Sequence, residues 1–262
     1  MVSPPTRYLV FFQYFGTKYS GVMETLNDQS ILGVQNYLQK AAQNLKPIVP
    51  IKFYISSRTD TGVHALCNSA HLDIQRAPGK PAFNEKQLIY SLNYHLRPEP
   101  IRILNAYRVA NSFHARFSAL SRTYVYRLLM GCTHHSEIPV FERDLCWAPV
   151  GGHLNVPAMQ DAAQFLLGTH DFSTFRSLNS ETPFQSPIRT ILQGAGVLGA
   201  EVQEQIISLP TGPKNGWGSS CSWPGKTSAS SYKGVTGDKR FTSFSTECHG
   251  STIWTLSKIS GI

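Results

Sequence analysis

The chain has 262 residues, enough for one large domain or two smaller ones with proper cores, and its 41% hydrophobic and 11% aromatic content sets disorder aside. A formal net charge of +8, from 24 lysines and arginines against 16 acidic residues, favours a polyanionic partner. Five cysteines without a CxxC pair argue against a disulfide framework, no apolar run reaches the length of a membrane span, and Met1 to Thr6 is too short for a secretory signal. The expectation is an intracellular protein with no membrane association, its compartment, cytoplasmic or mitochondrial, left open.

Residues 7 to 14, β-branched and aromatic, read as a buried strand ending at Gly16. Gly21, Asn27 and Asp28 break the following loop, and Val34, Tyr37, Leu38, Ala41, Ala42 and Leu45 recur at helical spacing over 33 to 45, closed by Pro47. A second strand spans 51 to 56. Beyond it Ala70, Leu72 and Ile74 alternate with Ser69, His71 and Asp73, as in a strand with one face buried. Asn84 and Gln87 make a capping box for a helix through Leu88, Ile89, Leu92 and Leu96, which Pro98 stops, and 101 to 109 is a further strand.

The order is β-α-β-β-α-β over roughly 110 residues, the split βαβ or ferredoxin-like arrangement, with helices on one face of the sheet and the other face free. RNA-recognition modules use a free face of this kind. Arg122 to Leu129 as strand, Pro157 to Leu167 as helix and Ile188 to Leu192 as strand begin a second copy. From about Gly194 serine, threonine, glycine and proline dominate and no period persists, so the second module breaks off midway.

Between the second and third strands lies Ser57-Arg58-Thr59-Asp60-Thr61-Gly62-Val63-His64-Ala65. A strand that feeds a polar, glycine-bearing loop is a common way to hold a reactive side chain on rigid support. An ionised carboxylate at Asp60 can be a nucleophile, a base, a metal ligand or half of a salt bridge, and the plainer alternative is an aspartate capping a turn.

The loop resembles the signature of the tRNA pseudouridine synthase A (TruA) family, with Thr61 where the family usually has alanine. Phe113-His114-Ala115-Arg116-Phe117-Ser118-Ala119 with Ser121-Arg122-Thr123-Tyr124-Val125-Tyr126 is similar to its second motif. Gly168-Thr169-His170-Asp171-Phe172-Ser173-Thr174-Phe175 and Ser186-Pro187-Ile188-Arg189-Thr190 follow its pattern further on. The likeness covers about 7 to 192 and is strongest to the eukaryotic branch. It implies an α+β pseudouridine synthase fold in which two ferredoxin-like modules share a mixed sheet, here with the second incomplete: 1–110 with the catalytic loop, 111–193 a partial module, and 194–262 an aberrant tail of low order.

The resemblance also implies a reaction: isomerisation of uridine in tRNA to pseudouridine, with Asp60 as nucleophile at uracil C6 or ribose C1′. No metal or organic cofactor is implied. Tyr124 takes the place of the active-site tyrosine that packs on the target base, and Arg58 that of the residue filling the space left by a flipped uridine. Plainer roles for these two are a core aromatic, and a phosphate contact or a salt bridge with Asp60. Arg116, Arg122, Arg127, Arg176 and Arg189 are candidate phosphate contacts through their clustering in motif segments. His64 and His170 read as structural hydrogen-bonding residues. A homodimer would complete the cleft.

Cys132, His134, His135 and Cys146 fit no common zinc spacing, and Gly225-Lys226-Thr227-Ser228 lacks the leading glycine and the strand of a phosphate loop. The family's third motif, around Val-Arg-x-Met-Val-Gly, is missing, and with it the arginine that pairs with the nucleophile. The family's Gly-Trp-Gln stands as Gly21-Val22-Met23. Codons permitted for Gly212-Pro213-Lys214-Asn215-Gly216-Trp217, read one nucleotide later, can spell Val-Arg-Lys-Met-Val-Gly. The expectation is a shifted reading frame from about 194 and weak or absent activity of this chain. The rivals are a non-catalytic RNA-binding protein of the same fold and a chain that does not fold stably.

Overall fold

The computed structural model describes residues 4–26, 28–149, 154–175, 186–198, 202–210 and 253–259, with side chains up to 194. Strand β1 (Thr6–Tyr14), helix α1 (Val34–Gln43), β2 (Tyr54–Ile55), β3 (His64–Ile74), α2 (Glu85–His95) and β4 (Ile101–Arg108) follow the β-α-β-β-α-β order. β1 is central and pairs antiparallel with β3 and β4, while β2 pairs antiparallel with β3. This part is therefore an antiparallel sheet ordered β4-β1-β3-β2.

Alternation decides which side chains meet the helices. Tyr8, Val10, Phe12 and Tyr14 of β1, with Ala70, Leu72 and Ile74 of β3, share one core with Val34, Leu38, Ala41 and Ala42 of α1 and Leu88 and Leu92 of α2. Burying each of the larger aliphatic side chains stabilises the fold by roughly 1.5–3 kcal/mol. At the start of α2, Asn84 accepts from the Lys86 amide at 3.0 Å and Gln87 reaches back to the Asn84 amide at 3.4 Å, the capping box expected.

Two expectations about this sheet change. β3 is buried on both faces, because Leu9, Phe11, Cys67 and Ala115 form a second cluster opposite the helices, joined by Phe113 and Tyr107. The connection after β4 folds back there: Arg7 bonds Asp73 through both carboxylate oxygens and the Phe113 carbonyl, and His71 Nδ1 accepts from the Ala115 amide. The helix-free face is thus partly covered. Strand β2 is also shorter than expected, with Ile51 and Phe53 packing into the core from outside any strand.

The second half contributes β5 (Ala119–Leu129), α3 (Val156–Phe165), β6 (Gly168–Asp171), β7 (Ile188–Ile191), β8 (Gln193–Leu198), β9 (Val202–Pro210) and β10 (Ile253–Ile259). β10 lies between β3, to which it is parallel, and β5, to which it is antiparallel, and β9 and β8 continue the sheet beyond β5. β7 does not join this sheet; it forms a two-stranded ribbon with β6. Strands beyond Gly194 have no counterpart in the sequence pattern. Val202–Pro210 breaks alternation at Ile206-Ile207, and its strand geometry comes from the ladder to β5 rather than from its own periodicity.

None of the residues of α3 is buried, and Phe165 is 80% exposed. Among the described residues no helix is long and apolar enough to cross a membrane.

Candidate active site

Asp60 sits in the connection from β2 to β3 with its side chain exposed, but the backbone around it is held from several sides. The Val22 amide donates to the Thr59 carbonyl at 3.1 Å, the Gly62 amide to Tyr19 at 3.3 Å, and the Val63 amide to Asp60 at 3.2 Å. Tyr14 and Thr59 share a hydroxyl bond of 2.7 Å inside the core, and Asn68 donates to the Ser57 carbonyl at 2.8 Å. Gly62 turns the chain with φ of +79°. Such a conformation suits glycine, which has no Cβ to clash.

Two other glycines let β1 and its following loop lie against this connection. A Cβ on Gly16 would stand 1.9 Å from the Val63 carbonyl oxygen, and one on Gly21, itself at φ +100°, 2.5 Å from that of Thr59. Only backbone without a side chain fits there. Sequence reading registers both residues as breakers and misses this close approach, since nothing local distinguishes it from an ordinary turn. Just past the loop, β3 carries one extra residue: Phe12 and Tyr14 of β1 face Asn68 and Ala65, and Thr255 and Leu256 of β10 face Ala65 and Cys67. A bulge at Leu66 explains both shifts and redirects the strand where it leaves the loop.

His64 closes the loop as the hydrogen-bonding residue expected of it. The Gly16 amide donates to Nδ1 at 3.2 Å, so Nε2 carries the proton and donates to the Asp144 carbonyl at 3.0 Å. Burial pushes its pKa down to about 4, with the charge of Arg127 helping and Asp144 opposing. His64 is neutral at physiological pH and ties the loop to the segment around 144.

Strand β5 brings a second set of groups. Arg122 donates to the Ser56 carbonyl at 3.1 Å, fixing β5 against the loop. Tyr124, two residues on, points to the same side; burial raises its pKa, opposed by Arg122 and the Ser57 hydroxyl, while the charge of Asp60 adds to the rise. Burial lowers the pKa of Arg122, opposed by Tyr124 and reinforced by the positive charges of Arg116 and Arg189. Asp60, Tyr124, Arg122, Arg116 and Arg189 are therefore electrostatic neighbours, although they come from three separate segments. Among the described residues Asp60 takes part in no ion pair.

Comparison with known proteins bears on what this neighbourhood is. A tRNA pseudouridine synthase-like 1 from Xenopus laevis is 63% identical over 193 residues, 74% of this chain and 64% of that protein. The human protein of that name is 55% identical over 185 residues, 71% of this chain and 60% of its own length. A tRNA pseudouridine synthase A from Maricaulis maris is 37% identical over 186 residues, which cover 71% of this chain and 68% of that protein. The chain belongs to the tRNA pseudouridine synthase A family. Within it the identities place the chain on the tRNA pseudouridine synthase-like 1 branch, of whose first relatives it spans less than two thirds. No protein-family model matches the chain.

Against the family's pattern, the basic residues separate into two groups. Arg58, Arg116 and Arg189 are exposed, Arg189 folding back onto the Ser186 and Ile188 carbonyls. Arg127 differs from its expectation as a phosphate contact: it is 6% exposed, pairs with Glu142 at 2.9 Å and donates to the Leu145 carbonyl. Its position in a buried register of β5 turns the guanidinium inward. Arg176, the segment Gly212 to Trp217 and Gly225 to Ser228 lie outside the described residues. His134 accepts from the Ser136 amide and Cys146 donates to the Glu142 carbonyl, local capping roles. His170 bonds the Leu167 carbonyl at 2.8 Å.

Proposed function

We propose that the chain carries the machinery of a tRNA pseudouridine synthase, an isomerase whose nucleophile is Asp60. The observation that carries the reading is an exposed carboxylate on a loop braced by Gly16, Gly21, Tyr14 and His64, within electrostatic reach of Tyr124. The names of the relatives supply the substrate class and the reaction. Asp60 attacks uracil C6 or ribose C1′, the N1–C1′ bond breaks, the uracil turns, C5 joins C1′, the bond to Asp60 breaks to return its carboxylate, by elimination from C6 or by displacement from C1′, and the C5 proton is lost as N1 gains one. A braced loop serves such a reaction because a positioned carboxylate needs no reorganisation at the moment of attack. Tyr124 stacks on the base; Arg58 fills the space the uridine leaves; Arg116, Arg122 and Arg189 bind phosphates.

The reading extends to architecture. Two ferredoxin-like modules share the sheet, residues 1–110 with the loop and 111–193 as a partial second module, and a homodimer completes the basic cleft. Residues 194–262 are read as translated out of frame. That α3 fully buries none of its residues supports an unclosed second module, and strand ladders at 193–210 and 253–259 need only backbone groups, which any frame supplies. The absence from the sequence of the family's motif with the arginine that pairs with the nucleophile favours the second reading, an RNA-binding protein without catalysis, for this chain as it stands.

The test is tritium release from uracil-C5-labelled tRNA by this chain and by the protein with the frame restored at about 194. Release is expected from the restored protein, little or none from this chain, and none from the restored Asp60→Ala variant. Equal tRNA binding by all three with no release from any would establish the RNA-binding reading.

A further inference from the structure

On the helix-free side of the sheet four rings run in contact from one exposed end to another. Ile55 and Leu72 belong to the core under the helices, so Tyr54 and His71 face the opposite way. Tyr54 lies parallel to His71 with centroids 4.7 Å apart and planes within 10°. His114 meets His71 at 4.6 Å and Tyr54 at 5.9 Å, both at steep angles. Phe117 leans on His114 at 4.4 Å, and the Arg116 guanidinium stands 6.0 Å from the Phe117 ring. His71 is buried, whereas Tyr54 is 42% and Phe117 78% exposed.

The ring series is fixed rather than mobile. The Arg7 bonds to Asp73 and Phe113, and the Ala115 amide on His71, pin the segment that bears His114 and Phe117 to the sheet. Burial draws both histidine pKa values down, that of His71 to about 4, so the rings are uncharged at neutral pH. The Asp73 carboxylate is taken up by Arg7, and Arg116 stands beside Phe117 at the open end. Phe117 contributes little to the core at its exposure, yet it is held in place. What the surface offers is flat π-faces beside a guanidinium, the pairing that suits unpaired bases and their phosphates.

We propose that Tyr54, His114 and Phe117 form a stacking platform for unpaired nucleobases of the RNA substrate, with Arg116 on the adjoining phosphate. The platform adjoins the Asp60 site: Tyr54 opens the two-residue strand β2, the carbonyl of Ser56 just after it accepts from Arg122, and Arg122 senses Arg116. It rests on the RNA-modifying reading above and adds a place where strand flanking the target uridine is held. Because every base has a π-face, recognition there is tolerant of sequence.

The experiment uses the full chain, fluorescence anisotropy with a labelled oligouridine of about ten nucleotides and with a tRNA transcript, and sedimentation velocity. Phe117→Leu keeps apolar bulk and removes the ring; its oligouridine Kd is expected to rise roughly 5- to 150-fold with an unchanged melting temperature. Phe117→Tyr restores affinity to within about twofold. Arg116→Gln weakens binding and lowers the salt slope by roughly 0.7, as for one single-strand phosphate contact. Wild-type protein that binds neither RNA overturns the RNA reading and the platform together. Wild-type binding that Phe117→Leu leaves intact overturns the platform alone, as does a change confined to self-association, which would make these rings a contact between copies of the chain.

Discussion

Replacing Gly16 with alanine probes the bracing of the Asp60 loop without touching the loop itself. The added Cβ would lie 1.9 Å from the Val63 carbonyl oxygen, where real Cβ contacts stay beyond 3.0 Å, so one partner must shift by at least about 1.1 Å, the difference of the two. If the segment after β1 yields, the Gly16 amide leaves His64; if Val63 yields, the hydrogen bond from its amide to the Asp60 carbonyl is strained. Either adjustment costs about 1–3 kcal/mol of stability. A displacement of about 1 Å at a reacting group costs on the order of a hundredfold in rate. Gly79→Ala is the control: Gly79 has φ +80° with nothing within 4 Å of its added Cβ, so it costs about 1–2 kcal/mol in strain far from the loop. Urea denaturation and tritium release, measured on the frame-restored protein, should show both variants destabilised but only Gly16→Ala slowed. Equal turnover in the two variants would refute the argument that the glycine contact positions Asp60.

Stability should fall on acidification through His64. Its folded pKa of about 4 lies below the ordinary 6.5, so the unfolded chain binds more protons between these values. The contribution is whole above pH 6.5 and lost as pH drops towards 4, at most roughly 3 kcal/mol, and His71 acts in the same direction. Urea unfolding from pH 7 to 4.5 should show this slope, and His64→Gln should flatten it. Arg127→Met leaves Glu142 uncompensated and should cost about 3 kcal/mol in thermal and urea unfolding with RNA affinity unchanged. Arg189→Gln should do the opposite, weakening tRNA binding and lowering its salt slope by about one while stability stays put. Restoring the reading frame should raise the melting temperature by covering α3; an equal temperature would mean that the helix needs no cover.

Much of the first half was legible because its signals are local. The alternation in β1, the helical spacing of Val34, Leu38 and Ala41, and the Asn84 and Gln87 cap each act through neighbours in sequence, and each element forms where these place it. β3 was only half legible. Ser69 and His71 look like a solvent-facing register, yet they are buried because residues far along the chain, Phe113 to Ala115, fold over them. β6, β8, β9 and β10 were not legible at all, since pairing partners rather than their own patterns make them strands. At the site, Asp60 stood out through its motif. Its nearness to Tyr124 follows from β5 lying against the loop through Arg122 and Ser56. Arg127 differs from its neighbours Arg122 and Tyr124 only by strand parity, which turns it inward to Glu142.

The most direct measurement is tritium release from uracil-C5-labelled tRNA by the frame-restored protein with and without Asp60. Release that Asp60→Ala abolishes while tRNA binding persists is the expected result. Release that survives in Asp60→Ala would contradict the assignment of Asp60 as the nucleophile.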